Sequence, residues 1–231
     1  MFAKQSLTLA GVELLSLVFT DCETRLLHRS GARLNSGDEV ATVTGPARTL
    51  LTGERTALNF VQRLSGIATL ASAYAKAVEG TGCRVLDTRK TTPGLRRLEK
   101  MAAAAGGAVN YRIGLYDAVL IKNNHISAAG GVRAAIERTR DAGVPVEIEV
   151  RTRAELDEAL ACGATHLLLD NLTSAEAREW IAHIGGRATV ELSGGITLET
   201  VRAYAETGAN FVSCGALTHS APAADLNFRL E

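Results

Sequence analysis

The chain has 231 residues, 46% of them apolar, and 25 basic side chains balance 25 acidic ones. That is enough for a sizeable core in one large domain or two small ones, and with no basic excess a nucleic-acid partner is not expected. No segment reads as a signal peptide or membrane span. Cys22, Cys83, Cys162 and Cys214 are scattered without a CxxC pair, as in a reduced cytoplasmic protein, and the histidines lack zinc-ligand spacing.

Residues 1 to about 50 mix short apolar stretches with Gly, Asn, Asp and Ser, which predicts a helix over about 11–19 and two or three short strands. From Ala47 to Gly82 the apolar residues fall at helical spacing. One or two helices are expected there, with a break near Ser65 and Gly66. Beyond Gly82 the pattern becomes regular. The β-rich runs "RVLD" (84–87), "AVLI" (118–121), "VEIEV" (146–150), "HLLLD" (166–170), "TVELS" (189–193) and "FVSCG" (211–215) alternate with amphipathic helical stretches. Thr173 and Thr197 stand at N-cap positions, and Glu176 completes a capping-box spacing with Thr173. Evenly spaced βα units predict a parallel sheet in an α/β protein, closed as an incomplete, about six-stranded α/β barrel. An open doubly wound sheet is the alternative, weakened because no GxGxxG follows a strand.

In a parallel barrel all strand C-termini open on one face, where active sites of this architecture lie. After the first run come Asp87, Thr88, Arg89 and Lys90; after the second, Lys122, Asn123, Asn124 and His125. The third contains Glu147 and Glu149, the fourth ends in Asp170 and Asn171, the fifth in Ser193, Gly194 and Gly195, and the sixth in Gly215. Arg89, Lys90, Arg112 and Lys122 at one mouth would repel one another unless an anion lay among them. Glu149 and Asp170 offer hard oxygen ligands for Mg²⁺ shared with a phosphate, and the two Gly-containing turns offer backbone N–H groups to that phosphate. Glu147 reads equally well as a site group or a structural one. Arg96, Arg97 and Lys100 read as a solvated helix face, His125 as structural, and "AAAAGG" (102–107) as a closely packed helix end.

The blocks "ERTALNFVQRLSGIAT", "DTRKTTPGLRRLEK", "NYRIGLYDAVLIKNNH", "VEIEV", "LLLDN", "ELSGGI" and "GALTHSAP" run in order along nearly the whole chain, and together they resemble quinolinate phosphoribosyltransferase. The resemblance implies transfer of a phosphoribosyl group from phosphoribosyl pyrophosphate to quinolinate with loss of CO₂, in NAD biosynthesis, by a cytoplasmic homodimer or higher oligomer with shared sites. It implies an N-terminal α/β domain over 1–64, packed with a tail over 217–231, and a barrel over 65–216. It further implies that Arg55 is donated across the dimer and that Arg89, Lys90, Arg112 and Lys122 contact quinolinate and phosphates. Lys90, Lys122, Glu149 and Asp170 would be catalytic, the last two anchoring ribose and Mg²⁺. Ser193, Gly194, Gly195 and Gly215 would cradle the 5′-phosphate.

Three departures from the family pattern stand out. Tyr111 replaces a histidine in the substrate site, Asn123 replaces an acidic residue, and the N-terminal domain is shortened, which would leave the mouth more open. Tyr111 and the short N-terminus motivate one alternative function, a catalytically weak or regulatory homologue that binds phosphoribosyl pyrophosphate or nucleotide without efficient turnover.

Overall fold

A computed structural model describes residues 1–230, so Glu231, the end of the predicted tail, lies outside the described residues. The chain starts with short strands and one helical turn: β1 (Phe2–Ala3), β2 (Leu7–Thr8), α1 (Leu15–Val18), β3 (Glu23–Leu26), β4 (Arg33–Leu34) and β5 (Ala41–Thr44). The long helix α2 (Ala47–Ala77) follows, then β6 (Arg84–Leu86), α3 (Arg96–Ala105), β7 (Val119–Ile121), α4 (Asn123–Ala129) and α5 (Val132–Glu137). Strictly alternating elements complete the series: β8 (Val146–Val150), α6 (Arg153–Ala161), β9 (His166–Asp170), α7 (Ser174–Ile184), β10 (Thr189–Ser193), α8 (Val201–Ala205), β11 (Phe211–Ser213), α9 (Ala216–His219) and β12 (Leu226–Asn227). Two compact units result. One comprises Met1–Ala75, Lys90–Asn110 and the chain from Gly215; the other comprises Lys76–Arg89 and Tyr111–Cys214.

In the first unit three antiparallel pairs, β1–β12, β2–β4 and β3–β5, surround a core that includes Leu9, Val12, Leu15, Val40, Leu58 and Val61. Helix α2 buries Ala57, Val61, Leu64, Ala68 and Ala71, the three-and-four spacing of one helical face. The expected break near Ser65 and Gly66 does not occur, because both residues serve packing. The buried Ser65 hydroxyl accepts the Ala10 N–H (3.0 Å) and donates to the Ala10 carbonyl (3.2 Å). At Gly66 a Cβ would stand 1.9 Å from the Pro222 carbonyl oxygen, so only glycine lets the tail backbone lie on the helix. "AAAAGG" is a packed helix end as read: a Cβ on Gly106 would come within 2.2 Å of the Ala68 carbonyl.

Helix α3 departs from its sequence reading. Lys100 is buried rather than solvated, and Glu99 beside it is 0% exposed. The Glu99 carboxylate accepts from Arg63 on α2 (Nη2 2.9 Å, Nε 3.2 Å) and from the hydroxyl (2.7 Å) and backbone N–H (3.0 Å) of Thr92. Arg63 also donates to the carbonyls of Thr218 and Ala221, so one buried pair ties α2, α3 and the tail together.

The second unit holds the six-stranded parallel sheet, in the order β6-β11-β10-β9-β8-β7. The strand that comes first in the chain lies beside the last and the rest follow in sequence order. That is the cyclic order of a barrel left open between β6 and β7, and not the reversed order of a doubly wound sheet. Register pairs Glu149 and Glu191 each with Leu168, and Asp170 with Ser193. Val146, Ile148, Val150, Leu167, Leu169, Val190, Leu192 and Val212 alternate onto the opposite face, where most are fully buried. Thr173 caps α7 as read, accepting from Glu176 N while the Glu176 carboxylate accepts from Thr173 N. Thr197 does not cap α8; its N–H donates to Thr200 Oγ1 (3.0 Å) and the helix begins at Val201.

Replacing Glu99 with Ala strands the Arg63 guanidinium. Denaturant unfolding is expected to show a loss of about 3 kcal/mol, the lower end for a broken buried pair because Arg63 keeps some solvent contact. Glu99→Gln, which retains the Thr92 hydrogen bonds, loses less.

Candidate active site

Within the second unit, the face carrying Glu149, Asp170, Glu191 and Ser193 gathers two clusters. The first is a pair of carboxylates. Glu147 on β8 and Glu191 on β10 are 4% and 6% exposed, and they hydrogen-bond each other although β9 separates their strands. Both project from the same face of the sheet, on either side of β9. Burial, the neighbouring Glu191 charge and the hydrogen bond between them push Glu147 up to about 9, against the pull of Arg112 and the Tyr111 hydroxyl. Burial pushes Glu191 up as well, while bonds from Ser213 and Glu147 and the Arg112 charge oppose it. Two carboxylates this close in a dry site hold a proton at neutral pH.

Tyr111 and Arg112 are set against this pair. The Tyr111 N–H donates to Asp87 Oδ1 (3.0 Å), and Asp87 is 3% exposed at the end of β6. Burial and then the two glutamates raise the Tyr111 phenol far above its ordinary range, so it is a neutral hydrogen-bond donor. Arg112 adopts φ +22°, an unusual conformation for a side-chain-bearing residue. Its pKa is lowered by burial and by the Arg89 guanidinium. Arg89 Nε is buried and finds no hydrogen-bond partner among the described residues. Two guanidiniums that repel each other, one with an orphaned buried N–H, form a site that an anion would complete.

The second cluster is a chain of ions. Lys122 Nζ lies 4.0 Å from Glu149 Oε2; Arg151 Nη2 lies 2.7 Å from Glu149 Oε1 and 3.6 Å from Asp170 Oδ2; Asn171 Nδ2 donates to the same Asp170 oxygen (2.7 Å). His125 accepts the Lys122 N–H at Nδ1 (3.0 Å), the structural role expected of it. Beside Asp170 the chain turns sharply. Asn171 takes φ +59° and donates its N–H to the Ser193 carbonyl (2.9 Å). Gly194, at φ +99°, lies so close that a Cβ would be 2.3 Å from Asn171 Oδ1.

Arg89, Tyr111, Arg112, Lys122, Glu149, Asp170, Ser193, Gly194 and Gly195 thus share one unit, while Arg55, Lys90 and Gly215 belong to the other. Arg55 is exposed on α2. The Lys90 carbonyl accepts the Thr218 hydroxyl (2.8 Å), and a Cβ on Gly215 would come within 2.9 Å of Lys90 Cδ. Sequence reasoning missed Asp87 as an orienting group, Glu191 and Arg151. Glu191 carried the signal already noticed in "VEIEV", a carboxylate alternating with strand apolars. Arg151 follows β8 directly, as Lys122 follows β7.

Family models for the N-terminal and C-terminal domains of quinolinate phosphoribosyl transferase match residues 1–65 and 67–229. The chain belongs to the quinolinate phosphoribosyl transferase family. It is 42% identical over 92% of its length to a Bacillus subtilis protein named probable nicotinate-nucleotide pyrophosphorylase (carboxylating), covering 74% of that relative. It is 42% identical over its full length to the Mycobacterium leprae nicotinate-nucleotide pyrophosphorylase (carboxylating), covering 85% of it. Among solved structures, NadC from Streptococcus pyogenes superposes with a TM-score of 0.90 at 41% identity, over 97% of this chain and 82% of that one.

The raised Glu147 pKa has a stability consequence. The folded state holds a proton that the unfolded chain releases near 4.5, so the contribution is fully present below 4.5 and fades as pH rises through about 9. Melting temperature is expected to fall over that window, and Glu147→Gln, a permanently neutral stand-in, is expected to flatten the fall.

Proposed function

We propose that the chain transfers the phosphoribosyl group of phosphoribosyl pyrophosphate to quinolinate, releasing pyrophosphate and CO₂ and leaving nicotinate mononucleotide, a step of NAD synthesis. The observation that carries this reading is the Arg89–Arg112 pair, cationic, partly desolvated and short of a hydrogen-bond acceptor, in a chain of this family. A planar dicarboxylate suits two guanidinium forks. Tyr111, held neutral, donates to an oxygen and adds no charge. No observation favours the binding-only alternative.

In this reading Arg89 and Arg112 hold the two carboxylates so that the pyridine nitrogen faces the anomeric carbon of the donor. The C–N bond forms as the bond to pyrophosphate breaks. The 2-carboxylate then leaves as CO₂, its bonding electron pair stays at C2 beside the ring nitrogen made cationic by the first step, and C2 takes up a proton from water. Lys122 stabilises charge on the leaving group, and the Ser193–Gly195 turn receives the 5′-phosphate. Glu149 and Asp170 offer hard oxygen donors that fit a divalent cation: Arg151 engages Glu149 Oε1, Arg151 and Asn171 engage Asp170 Oδ2, and Glu149 Oε2 has only the longer 4.0 Å contact with Lys122. When bound there with the donor's phosphates, Mg²⁺ would supply further positive charge for the departing pyrophosphate. A homodimer or higher oligomer in which Arg55 reaches a neighbour's site is supported by the family resemblance and by the exposure of Arg55. A cytoplasmic setting is supported by four free cysteines. Among the described residues no helix is long and apolar enough to cross a membrane.

Purified protein given quinolinate, phosphoribosyl pyrophosphate and Mg²⁺ is expected to release CO₂ and pyrophosphate in equal amounts. Lys122→Ala is expected to lower kcat/KM by about 10²-fold, the scale for removing one charge-stabilising group. Folded protein that yields neither product contradicts the proposal.

A further inference from the structure

The carboxylate pair that would hold the metal already has a cation between its members. Glu149 is 5% exposed and would be costly as a lone charge there. The Arg151 guanidinium contacts both Glu149 and Asp170, and Lys122 stands at the far oxygen of Glu149. Two negative and two positive side chains make this cluster neutral. A bare divalent ion entering it would meet Arg151 and Lys122 with no anion to offset its charge. A divalent ion arriving on a pyrophosphate brings that anion along. The Arg151 side chain is itself 47% exposed, so it has room to turn from the carboxylates toward the phosphates.

We propose that Arg151 is a built-in placeholder cation: it bridges Glu149 and Asp170 in the free protein, excludes a divalent ion from them, and yields to the ion only when a pyrophosphate-bearing donor enters with it. This rests on the assignment of the pair to the donor–metal site made above, and it makes Arg151 a positioning residue of that site. The consequence is an order of events: metal binds with the donor and not before it.

The test is Mn²⁺ binding to the free protein by electron paramagnetic resonance, which needs no turnover. Wild type is expected to bind Mn²⁺ at this pair weakly. Arg151→Ala is expected to bind one ion at least about tenfold more tightly, the range for two ligands competing for one position, and Arg151→Ala/Glu149→Gln is expected to lose that gain. With inorganic pyrophosphate present, wild type and Arg151→Ala are expected to bind Mn²⁺ with more nearly equal affinity. Circular dichroism melts confirm that each variant is folded, and Arg151→Gln serves where Arg151→Ala is not. Equal Mn²⁺ affinity of wild type and the Arg151 variants without pyrophosphate overturns the proposal. So does a gain that survives Glu149→Gln. Either result leaves the quinolinate reaction untouched, because that reaction is judged by CO₂ and pyrophosphate release.

Discussion

Burying negative charge inside a parallel sheet is the constraint from which the second unit follows. Glu147, Glu149 and Glu191 are all nearly inaccessible on one face of the strands. Most barrels of this type fill that face with branched apolar residues. Here each carboxylate has to be neutralised, and the structure uses two means. Glu147 and Glu191 retain a proton between them, with Arg112 and Tyr111 as partners. Glu149 and Asp170 remain in contact with cations, Arg151 for both and Lys122 for Glu149. Lys122 and Arg151 stand directly after β7 and β8, where the chain leaves the sheet and long side chains can reach back. The same arrangement that makes the interior tolerable therefore sets cationic side chains beside the carboxylates at the strand ends.

The opposing face explains why such an interior can exist. Ile148, Val150, Leu167, Leu169, Val190, Leu192 and Val212 are all at most 2% exposed on the side away from the carboxylates. Apolar burial of roughly 25 cal/mol per Å² on that side supplies the stabilisation that the polar face does not. In the first unit the hydrophobic core is conventional, and a single buried pair, Arg63 and Glu99, joins two helices to the tail.

Much of this was legible in the amino-acid order. Short β-rich runs separated by helical stretches gave the parallel sheet, and polar residues at successive run ends gave the mouth. Features set by contacts between distant segments were hidden. Gly66 and Ser65 look like helix breakers, yet one admits the Pro222 backbone and the other bonds Ala10. Lys100 looks like a solvated lysine, but the face of α3 that packs is chosen by the small residues Ala102 and Ala103 around it. Arg151 could not be ranked above other arginines without knowing that Glu149 and Asp170 lie on adjacent strands. Glu191 needed its partner Glu147 to be recognised as half of a pair, and β9 stands between them.

The proton held by the interior pair is the most exposed part of this account, and isotope-edited infrared spectroscopy of glutamate carboxyl groups reads it directly. At pH 7, below the value of about 9 to which Glu147 is pushed, the account predicts a protonated-carboxyl band in the wild-type spectrum that disappears in Glu147→Gln. A wild-type spectrum with only ionised glutamates at pH 7, or a band unchanged by Glu147→Gln, would contradict it.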